Sequence, residues 1–349
     1  MKKANLLAAC LLLCSCFVGR QYSGCWANPA SADAADRIHR LNSPAEAVGT
    51  DTSSSKIIYQ EWHDSQRGRD IPIKIYLPKN ISAPQPVVIF SHGLGGSREA
   101  AVYLGDYWSQ HGYVGIFVQH PGSDTAVWQS ARAEGKEAMM QRMKEAANGR
   151  NLVDRAADIK FVLNELEKRN QTDPDLKNHM DLGKVALAGH SFGAGTTLAI
   201  AGENFGEAHR NIKDNRVKAA IYLCPPVGAG KIAPEQTYGS IEIPGLLLTG
   251  TEDNSPIGTT TAADRRIPFD GIKAPHQYLV NFIGADHAVF GGRSFRAAKE
   301  GDERFHEMIE ELTTKFLEAT LKGDAAAWKW LDSTEASAYL GKAATMERK

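Results

Sequence analysis

The stretch VALAGHSFGAG, residues 185–195, decides the fold. An apolar segment ends here, and three glycines accompany Ser191 before the small-residue segment TTLAIAG begins at 196–202. Residues 189–193 match the pattern G-x-S-x-G, which is typical of a sharp strand-to-helix turn that exposes a serine hydroxyl. Two interpretations are open: a strained turn that presents Ser191 as a nucleophile, or a tight loop that needs glycine for packing alone.

Two later segments supply the partners that a nucleophilic serine requires, a base and an acid that orients the base. Asp253 follows the apolar run PGLLLTG at 244–250, and His287 follows the run QYLVNFIG at 277–284. Each side chain therefore comes at the carboxyl end of a predicted strand, in the chain order Ser, Asp, His. This conjunction favours the nucleophile interpretation, with Ser191, Asp253 and His287 as a catalytic triad.

Neighbouring ionisable residues are weaker candidates for the same roles. Glu252 adjoins Asp253 but would point elsewhere in a tight loop, and Asp286 cannot easily orient the imidazole of the adjacent His287. His190 flanks the serine and is expected to face away from its hydroxyl. Because no third and fourth ligand at metal spacing joins Asp286 and His287, the sequence predicts no metal site.

A glycine-rich loop supplies the expected oxyanion hole. The stretch SHGLGGSRE, residues 91–99, follows the apolar run PVVIF and lets the backbone approach a substrate closely. We expect the backbone N–H groups of Leu94 and Phe192 to stabilise the oxyanion. No Gly-Lys-Ser or Gly-Lys-Thr follows, which disfavours a nucleotide-binding loop. His92 is expected to hold this loop rather than to react.

The hydropathy pattern predicts an α/β fold. Eight apolar or alternating runs recur in the sequence: KIIYQEW, IPIKIYL, PVVIF, YVGIFV, KVALAG, VKAAIYL, GLLLTG and QYLVNFI. The first two alternate, as half-exposed antiparallel strands do, and those in the middle are continuously apolar, as parallel strands covered on both faces are. Helical patterns separate them. The pattern predicts a mostly parallel sheet of about eight strands with helices on both faces.

Four motifs together resemble the α/β-hydrolase superfamily: FSHGLGG at 90–96, GHSFG at 189–193, GTED at 250–253 and GADH at 284–287. More narrowly, residues 87–124 resemble the dienelactone-hydrolase-like and platelet-activating-factor-acetylhydrolase-like esterases, and the likeness covers about residues 56–323. Dienelactone hydrolases carry cysteine where this chain has Ser191, which favours ester hydrolysis over lactone chemistry.

The resemblance implies a serine esterase of α/β-hydrolase fold that forms an acyl-enzyme on Ser191 and needs no cofactor. The acetylhydrolase likeness implies short acyl chains on glycerophospholipid-like or simple esters. Two alternatives are a peptidase or amidase on the same fold, and a non-catalytic binding protein on a hydrolase scaffold. Lys and Arg number 40 against 41 Asp and Glu, a balance that argues against nucleic acid and for a small neutral or mixed substrate. The resemblance implies that this substrate is a small-molecule ester.

The chain divides into four expected segments. Residues 1–32 read as an export signal, 33–55 as a flexible linker, 56–322 as the catalytic domain and 323–349 as a C-terminal tail. Within the catalytic domain, residues 121–150 carry one tryptophan and three methionines among many charges. This insertion is either a lid over the acyl pocket or an amphipathic helix packed on the core.

The first residues are typical of an exported protein. Two lysines precede the apolar run LLAACLLLCSCFV, which is too short for a stable membrane span. Cleavage is expected after Ala27 or Ala32, and a lipid anchor on Cys16 is an alternative that would provide the one expected contact with a membrane. The end state is then periplasmic, secreted or lipid-anchored. Cys224, the one cysteine beyond this leader, reads as a buried strand residue.

Overall fold

The computed structural model describes residues 55–206, 212–228, 233–292 and 298–349, and these ranges contain one nine-stranded sheet. Its strands, in chain order, are β1 (Ser55–Asp64), β2 (Arg69–Pro78), β3 (Gln85–Ser91), β4 (Val114–Val118), β5 (Met180–His190), β6 (Val217–Leu223), β7 (Gly245–Glu252), β8 (Gln277–Asp286) and β9 (Ala344–Arg348). In space they lie in the order β1-β2-β4-β3-β5-β6-β7-β8-β9.

The sheet is parallel from β4 to β8 and antiparallel at its edges. Strands β1, β2 and β4 pair antiparallel, and β9 pairs antiparallel with β8. The prediction of a mostly parallel sheet is confirmed. The strand β5 lies in the middle, so its carboxyl end meets the ends of β3 and β6 at one edge of the sheet.

The structure of the C-terminal segment differs from the prediction. Residues 323–349 were expected as a tail, but they contain two helices and β9, which makes the sheet one strand larger than the predicted eight. Ala344 pairs with Phe282 and Arg348 with Tyr278, which covers the free edge of β8. This strand is five residues long and mostly polar, so it lacks the apolar run that identified the other eight.

Helices cover both faces of the sheet, as predicted. In the described residues they are α1 (Val102–Gln110), α2 (Ala126–Gln129), α3 (Lys136–Ala146), α4 (Gly149–Thr172), α5 (Phe192–Ala201), α6 (Pro234–Tyr238), α7 (Ile267–Gly271), α8 (Asp302–Leu317), α9 (Ala325–Asp332) and α10 (Thr334–Leu340). The helices α1, α8, α9 and α10 pack on one face, and α4 to α7 pack on the other.

Two of these helices position the site. Asn148 caps the N-terminus of α4, because its side chain accepts a hydrogen bond from the Asn151 amide at 2.9 Å. The helix α4 buries an apolar stripe against the sheet. The helix α5 is apolar around its whole circumference and buried from Gly193 to Ala201, as expected of a helix enclosed on every side. It fixes the segment that directly follows Ser191.

The predicted export signal (1–32) lies outside the described residues, as does the predicted linker (33–55) except for Ser55, which begins β1. Among the helices that the structure describes, none combines the length and the apolar character needed to cross a bilayer.

Candidate active site

Ser191 lies in a strained turn between β5 and α5. Its φ of 54° falls in a region that serine rarely adopts, and such conformations persist only where the surrounding structure fixes them. The Ser191 amide donates a hydrogen bond to the carbonyl oxygen of Leu223 at 2.8 Å. This bond ties the turn to the neighbouring strand β6 and holds the serine side chain at the edge of the sheet.

The two glycines of the G-x-S-x-G pattern are required by space. A Cβ built on Gly189 would overlap the backbone carbonyl of Gly193, and a Cβ built on Gly193 would overlap the carbonyl oxygen of Ser91 at the end of β3. Neither glycine has a positive φ, so close backbone approach explains both. The sharp turn therefore needs glycine at both positions whatever role Ser191 has.

The structure brings together the three residues of the predicted triad. His287 Nε2 lies 2.9 Å from Ser191 Oγ, and His287 Nδ1 lies 2.6 Å from Asp253 Oδ1. Asp253 directly follows β7 and His287 directly follows β8, so adjacent parallel strands deliver both side chains to the end of the sheet that carries Ser191. Both distances allow proton transfer from the hydroxyl to an imidazole that a carboxylate orients.

Asp253 is completely buried and lies among hydrogen-bond donors. Its Oδ2 accepts a hydrogen bond from Thr249 Oγ1 at 2.8 Å, and its Oδ1 lies 3.1 Å from Nη2 of Arg265. Burial alone would raise the pKa of this carboxyl, but hydrogen bonding and the charges of His287 and Arg265 hold the pKa below its ordinary value. Asp253 is therefore ionised at neutral pH and available to orient the imidazole.

The competing carboxylates lie elsewhere. Glu252 is exposed, whereas Asp253 beside it is buried. Asp286 accepts hydrogen bonds from the amides of Ala288 and Val289 through Oδ1, and it pairs with Lys299 through Oδ2. Asp286 thus organises the loop that carries His287.

The glycine-rich loop lies against Ser191. A Cβ built on Gly93 would lie 3.4 Å from Ser191 Cβ, so the loop passes next to the serine one residue before Leu94. The other predicted donor, Phe192, opens α5, where the first amides have no acceptor within the helix. The buried His92 accepts a hydrogen bond from the His120 amide on Nε2 and donates from Nδ1 to the carbonyl oxygen of Gly93 at 2.6 Å.

One buried guanidinium connects this loop to α5. Arg155, on α4, donates to the carbonyl oxygen of His92 and, at 3.1 Å, to Thr196 Oγ1 on α5. Its guanidinium also lies 4.8 Å from the ring centroid of Phe192. Arg155 therefore contacts both segments that carry the predicted oxyanion donors.

A buried chain of hydrogen bonds lies behind the glycine-rich loop. Ser91 Oγ is 3.0 Å from His120 Nε2, and His120 Nδ1 is 3.0 Å from Asp158 Oδ2, with all three side chains fully buried. Arg67, in the turn between β1 and β2, and Arg69, the first residue of β2, bind the same carboxylate, Asp158. Burial and the charge of Arg155 lower the pKa of His120 to about 4. All three side chains are shielded from solvent, and the His120 amide connects them to His92 in the glycine-rich loop.

His120 predicts a pH dependence of stability. Unfolded histidine titrates near 6.5, so between about pH 4 and pH 6.5 the unfolded chain binds more protons and folding stability falls as pH falls. We expect His120→Gln to reduce this slope by up to about 1.4 kcal/mol per pH unit, although it destabilises the protein at pH 7. Urea unfolding at half-unit steps from pH 7 to 5 measures the slope. The exposed His63→Gln controls for loss of a histidine, and an unchanged slope in His120→Gln would contradict the assignment.

His190 is turned toward the site. Its Nε2 donates to the carbonyl oxygen of His287 at 2.9 Å, and its ring lies between Gly93 and Gly291, where an added Cβ would lie 3.0 and 2.8 Å from His190 Nδ1. Burial and the charge of His287 lower its pKa to about 3, so it is a neutral packing group at physiological pH. His190 therefore joins the glycine-rich loop, at Gly93, to the loop that carries His287.

The same region contains three side chains of metal-binding type. Ligand atoms of His190, Cys224 and His287 lie within 4.8 Å of one another. Both histidines are engaged in the hydrogen bonds above, and Nη2 of Arg265 lies 3.2 Å from His287 Nδ1. A permanent positive charge at that distance disfavours a cation, and we assign no metal to these residues.

The insertion 121–150 contacts the glycine-rich loop. Trp128 Nε1 donates to the carbonyl oxygen of Gly95 at 2.9 Å, and a Cβ on Gly95 would lie 2.6 Å from Met143 Cε. The helix α3 of this insertion buries one residue, Ala146. The Trp128 indole and the Met143 thioether of the insertion therefore contact the glycine-rich loop, and most of the surface of α3 is open to solvent.

Sequence reasoning missed several residues around the site. Arg155 sits in an ordinary amphipathic pattern, and Arg265 stands beside a second arginine in the polar stretch TTTAADRRIPFD. Cys224 is buried as predicted, but it directly follows β6 instead of lying in the strand, and it contacts Asp253 in a positive-φ conformation that no local pattern signals. Only the fold brings these side chains together.

The sheet order and the strand–Ser191–helix turn define an α/β-hydrolase fold. Residues 70–225 match the family model of platelet-activating factor acetylhydrolase, isoform II. Three curated proteins named platelet-activating factor acetylhydrolase are also similar to this chain. The Cavia porcellus protein is 24% identical over 294 residues, which cover 74% of this chain and 63% of the relative.

The other two similarities are shorter. The Canis lupus familiaris protein is 30% identical over 155 residues (36% of this chain, 34% of the relative), and the Bos taurus protein is 28% identical over 144 residues (34% and 32%). In each case the alignment spans less than two thirds of the relative's own length. The resemblance to platelet-activating-factor-acetylhydrolase-like esterases that the motifs predicted is confirmed.

Proposed function

We propose that this protein is an exported serine hydrolase that cleaves carboxylic esters through an acyl-enzyme on Ser191, with short acyl chains preferred. The observation that carries the proposal is the continuous hydrogen-bond chain from Asp253 through His287 to Ser191. A strained serine, an imidazole base and a buried ionised acid in this order are what nucleophilic acyl transfer requires.

The proposed ester hydrolysis uses the hydrogen-bonded arrangement of Ser191, His287 and Asp253. His287 Nε2 accepts the hydroxyl proton as Ser191 Oγ attacks the ester carbonyl, and the same nitrogen then delivers that proton to the leaving alcohol. Asp253 stabilises the imidazolium that forms between these steps. The N–H groups of Leu94 and Phe192 stabilise the oxyanion, each by about 3 kcal/mol. Water activated by His287 then releases the acid and restores the serine.

The preference for short acyl chains has two supports. The relatives are named for an acetylhydrolase activity, and the insertion places Trp128 and Met143 on the loop that carries Leu94. A lid made from residues 121–150 would limit the space beside the oxyanion hole. The ester is expected to be small or lipid-like. We further propose export through the signal at 1–32 to the periplasm or medium, with membrane contact arising only through a lipid anchor.

A graded ester series tests this function. For p-nitrophenyl esters from acetyl to dodecanoyl, we expect kcat/KM to be highest at acetyl and to fall by about tenfold or more by octanoyl, a difference of about 1.4 kcal/mol in the barrier. Ser191→Ala supplies the background rate. A flat series or a long-chain optimum would remove the acyl preference, and the absence of hydrolysis of any ester or amide would remove the enzyme proposal.

The same series on two variants of α3 tests the lid. Met143→Ala removes the thioether that lies against Gly95, and we expect it to raise the octanoyl-to-acetyl ratio of kcat/KM by about three- to tenfold. Arg142→Ala, an exposed neighbour on the same helix, is the matched control. Equal ratios in the two variants would place the insertion away from the acyl group.

A further inference from the structure

Arg265 is a buried cation in direct contact with two members of the triad. It lies in the short helical turn Ala263–Arg266, and 1% of its surface is exposed. Its Nη2 is 3.1 Å from Asp253 Oδ1 and 3.2 Å from His287 Nδ1. Because Nδ1 of His287 donates to the same carboxylate oxygen, that oxygen is shared between an imidazole and a guanidinium.

The remaining nitrogens of Arg265 fix its position. Its Nε donates to the backbone carbonyl of Asp253 at 3.2 Å, and Nη1 donates to the carbonyls of Cys224 and Pro225 at 3.1 and 2.8 Å. The guanidinium thus joins the loop after β6 to the loop after β7. It leaves the substrate side of His287, which is Nε2, open to Ser191.

We propose that Arg265 is a positioning residue that orients the Asp253 carboxylate and sets the pH at which His287 becomes able to act as a base. The inference rests on the proposed hydrolase function. A guanidinium that shares Oδ1 holds the carboxylate in one orientation, and its charge offsets part of the attraction between Asp253 and a protonated His287. The protonated, inactive state of His287 is thereby disfavoured.

The electrostatic balance around His287 gives the sign of the effect. Five ionisable groups surround it, each from a different segment: Asp253, His190, Cys224, Asp286 and Arg265. His190 is neutral at physiological pH because its pKa is about 3, and burial raises the pKa of the Cys224 thiol so that it too is neutral. Lys299 pairs with Asp286. Loss of Arg265 would leave the negative charge of Asp253 uncompensated and favour the protonated imidazole.

The test is the pH profile of kcat/KM for the preferred ester. We expect Arg265→Gln to move the acid limb to higher pH by about one unit, and Arg265→Lys to move it by about 0.3 unit, because a shorter ammonium keeps the charge but places it farther from the imidazole. We also expect kcat to fall about tenfold or more in Arg265→Gln, with a smaller change in KM. The matched control is Arg266→Gln, the exposed neighbour that pairs with Asp270 and Glu347.

The outcomes separate the inference from the proposed function. Folded, active Arg265→Gln whose rate falls by one factor at every pH would overturn the inference, since a purely structural role lowers the rate without moving the limb. If Arg265→Gln does not fold, Arg265→Lys decides, and an acid limb that stays in place or moves to lower pH overturns it. If wild type and Arg266→Gln both fail to hydrolyse any ester, the proposed function itself fails.

Discussion

Ser191→Ala is expected to lower kcat/KM for the preferred ester by about 10⁵- to 10⁶-fold, the largest effect on activity in this chain. Loss of the nucleophile from a serine–histidine–aspartate unit removes covalent catalysis, and only binding and oxyanion stabilisation remain. The Ser191 side chain makes no capping hydrogen bond to α5, so we expect the variant to fold. Steady-state kinetics of the purified variant measures the loss of kcat/KM, and thermal unfolding measures whether the variant keeps its stability.

Covalent labelling supplies an independent measurement. Wild-type protein should react with an alkyl fluorophosphonate at one site, and peptide mass analysis should find the adduct on Ser191. The Ser191→Ala variant should remain unlabelled, and Ser97→Ala, a change in the glycine-rich segment away from the triad, should label as wild type does. Labelling of Ser191→Ala at wild-type rate would show that another residue is the nucleophile.

Gly193→Ala is expected to have the largest effect on stability. The added Cβ would meet the carbonyl group of Ser91 and the carbonyl oxygen of His92, which are backbone atoms held by β3 and by Arg155. Because neither neighbour is a flexible side chain, the strain falls in the upper part of the usual overpacking range, about 3 kcal/mol. We expect Tm to fall by roughly 5 to 10 °C. We also expect kcat to fall, because the glycine-rich loop is displaced. Calorimetry and the ester assay measure these changes.

The chain contains a matched control two residues further along α5. A Cβ on Gly195 would lie 3.1 Å from Pro226 Cγ, a side-chain atom that needs to move by only a few tenths of an ångström. Gly195→Ala also gains the helix propensity of alanine, about 1 kcal/mol. We expect its Tm to stay within about 3 °C of wild type. Equal losses at the two positions would mean that the spacing of Gly193 against β3 is not what the turn requires.

The proposed triad and most of the fold could be predicted from local patterns. Apolar runs identify eight strands because a parallel strand covered on both faces must be apolar throughout, and a polar residue at its carboxyl end then stands out. Asp253 and His287 have this signature, and the structure places them within hydrogen-bond distance of each other. The strand β9 has no such signature, since an edge strand needs only one buried face.

The residues that sequence reasoning missed act over long separations. Arg155 is 63 residues from the His92 carbonyl that it binds, and Arg265 is 41 residues from the Cys224 carbonyl. Nothing in the pattern of a helix or loop indicates which arginine is buried, because Arg265 and the exposed Arg266 are adjacent and chemically identical. Burial of a charge depends on partners that only the folded chain assembles.

His190 has a consequence for directed evolution of this chain. The G-x-S-x-G pattern marks residues 190 and 192 as free to vary, yet the imidazole of His190 fills the space between Gly93 and Gly291 and holds the His287 carbonyl. A library randomised at position 190 is expected to return mostly damaged proteins. Diversity intended to change substrate range belongs in the insertion, at Trp128 and Met143, whose side chains reach the glycine-rich loop from outside.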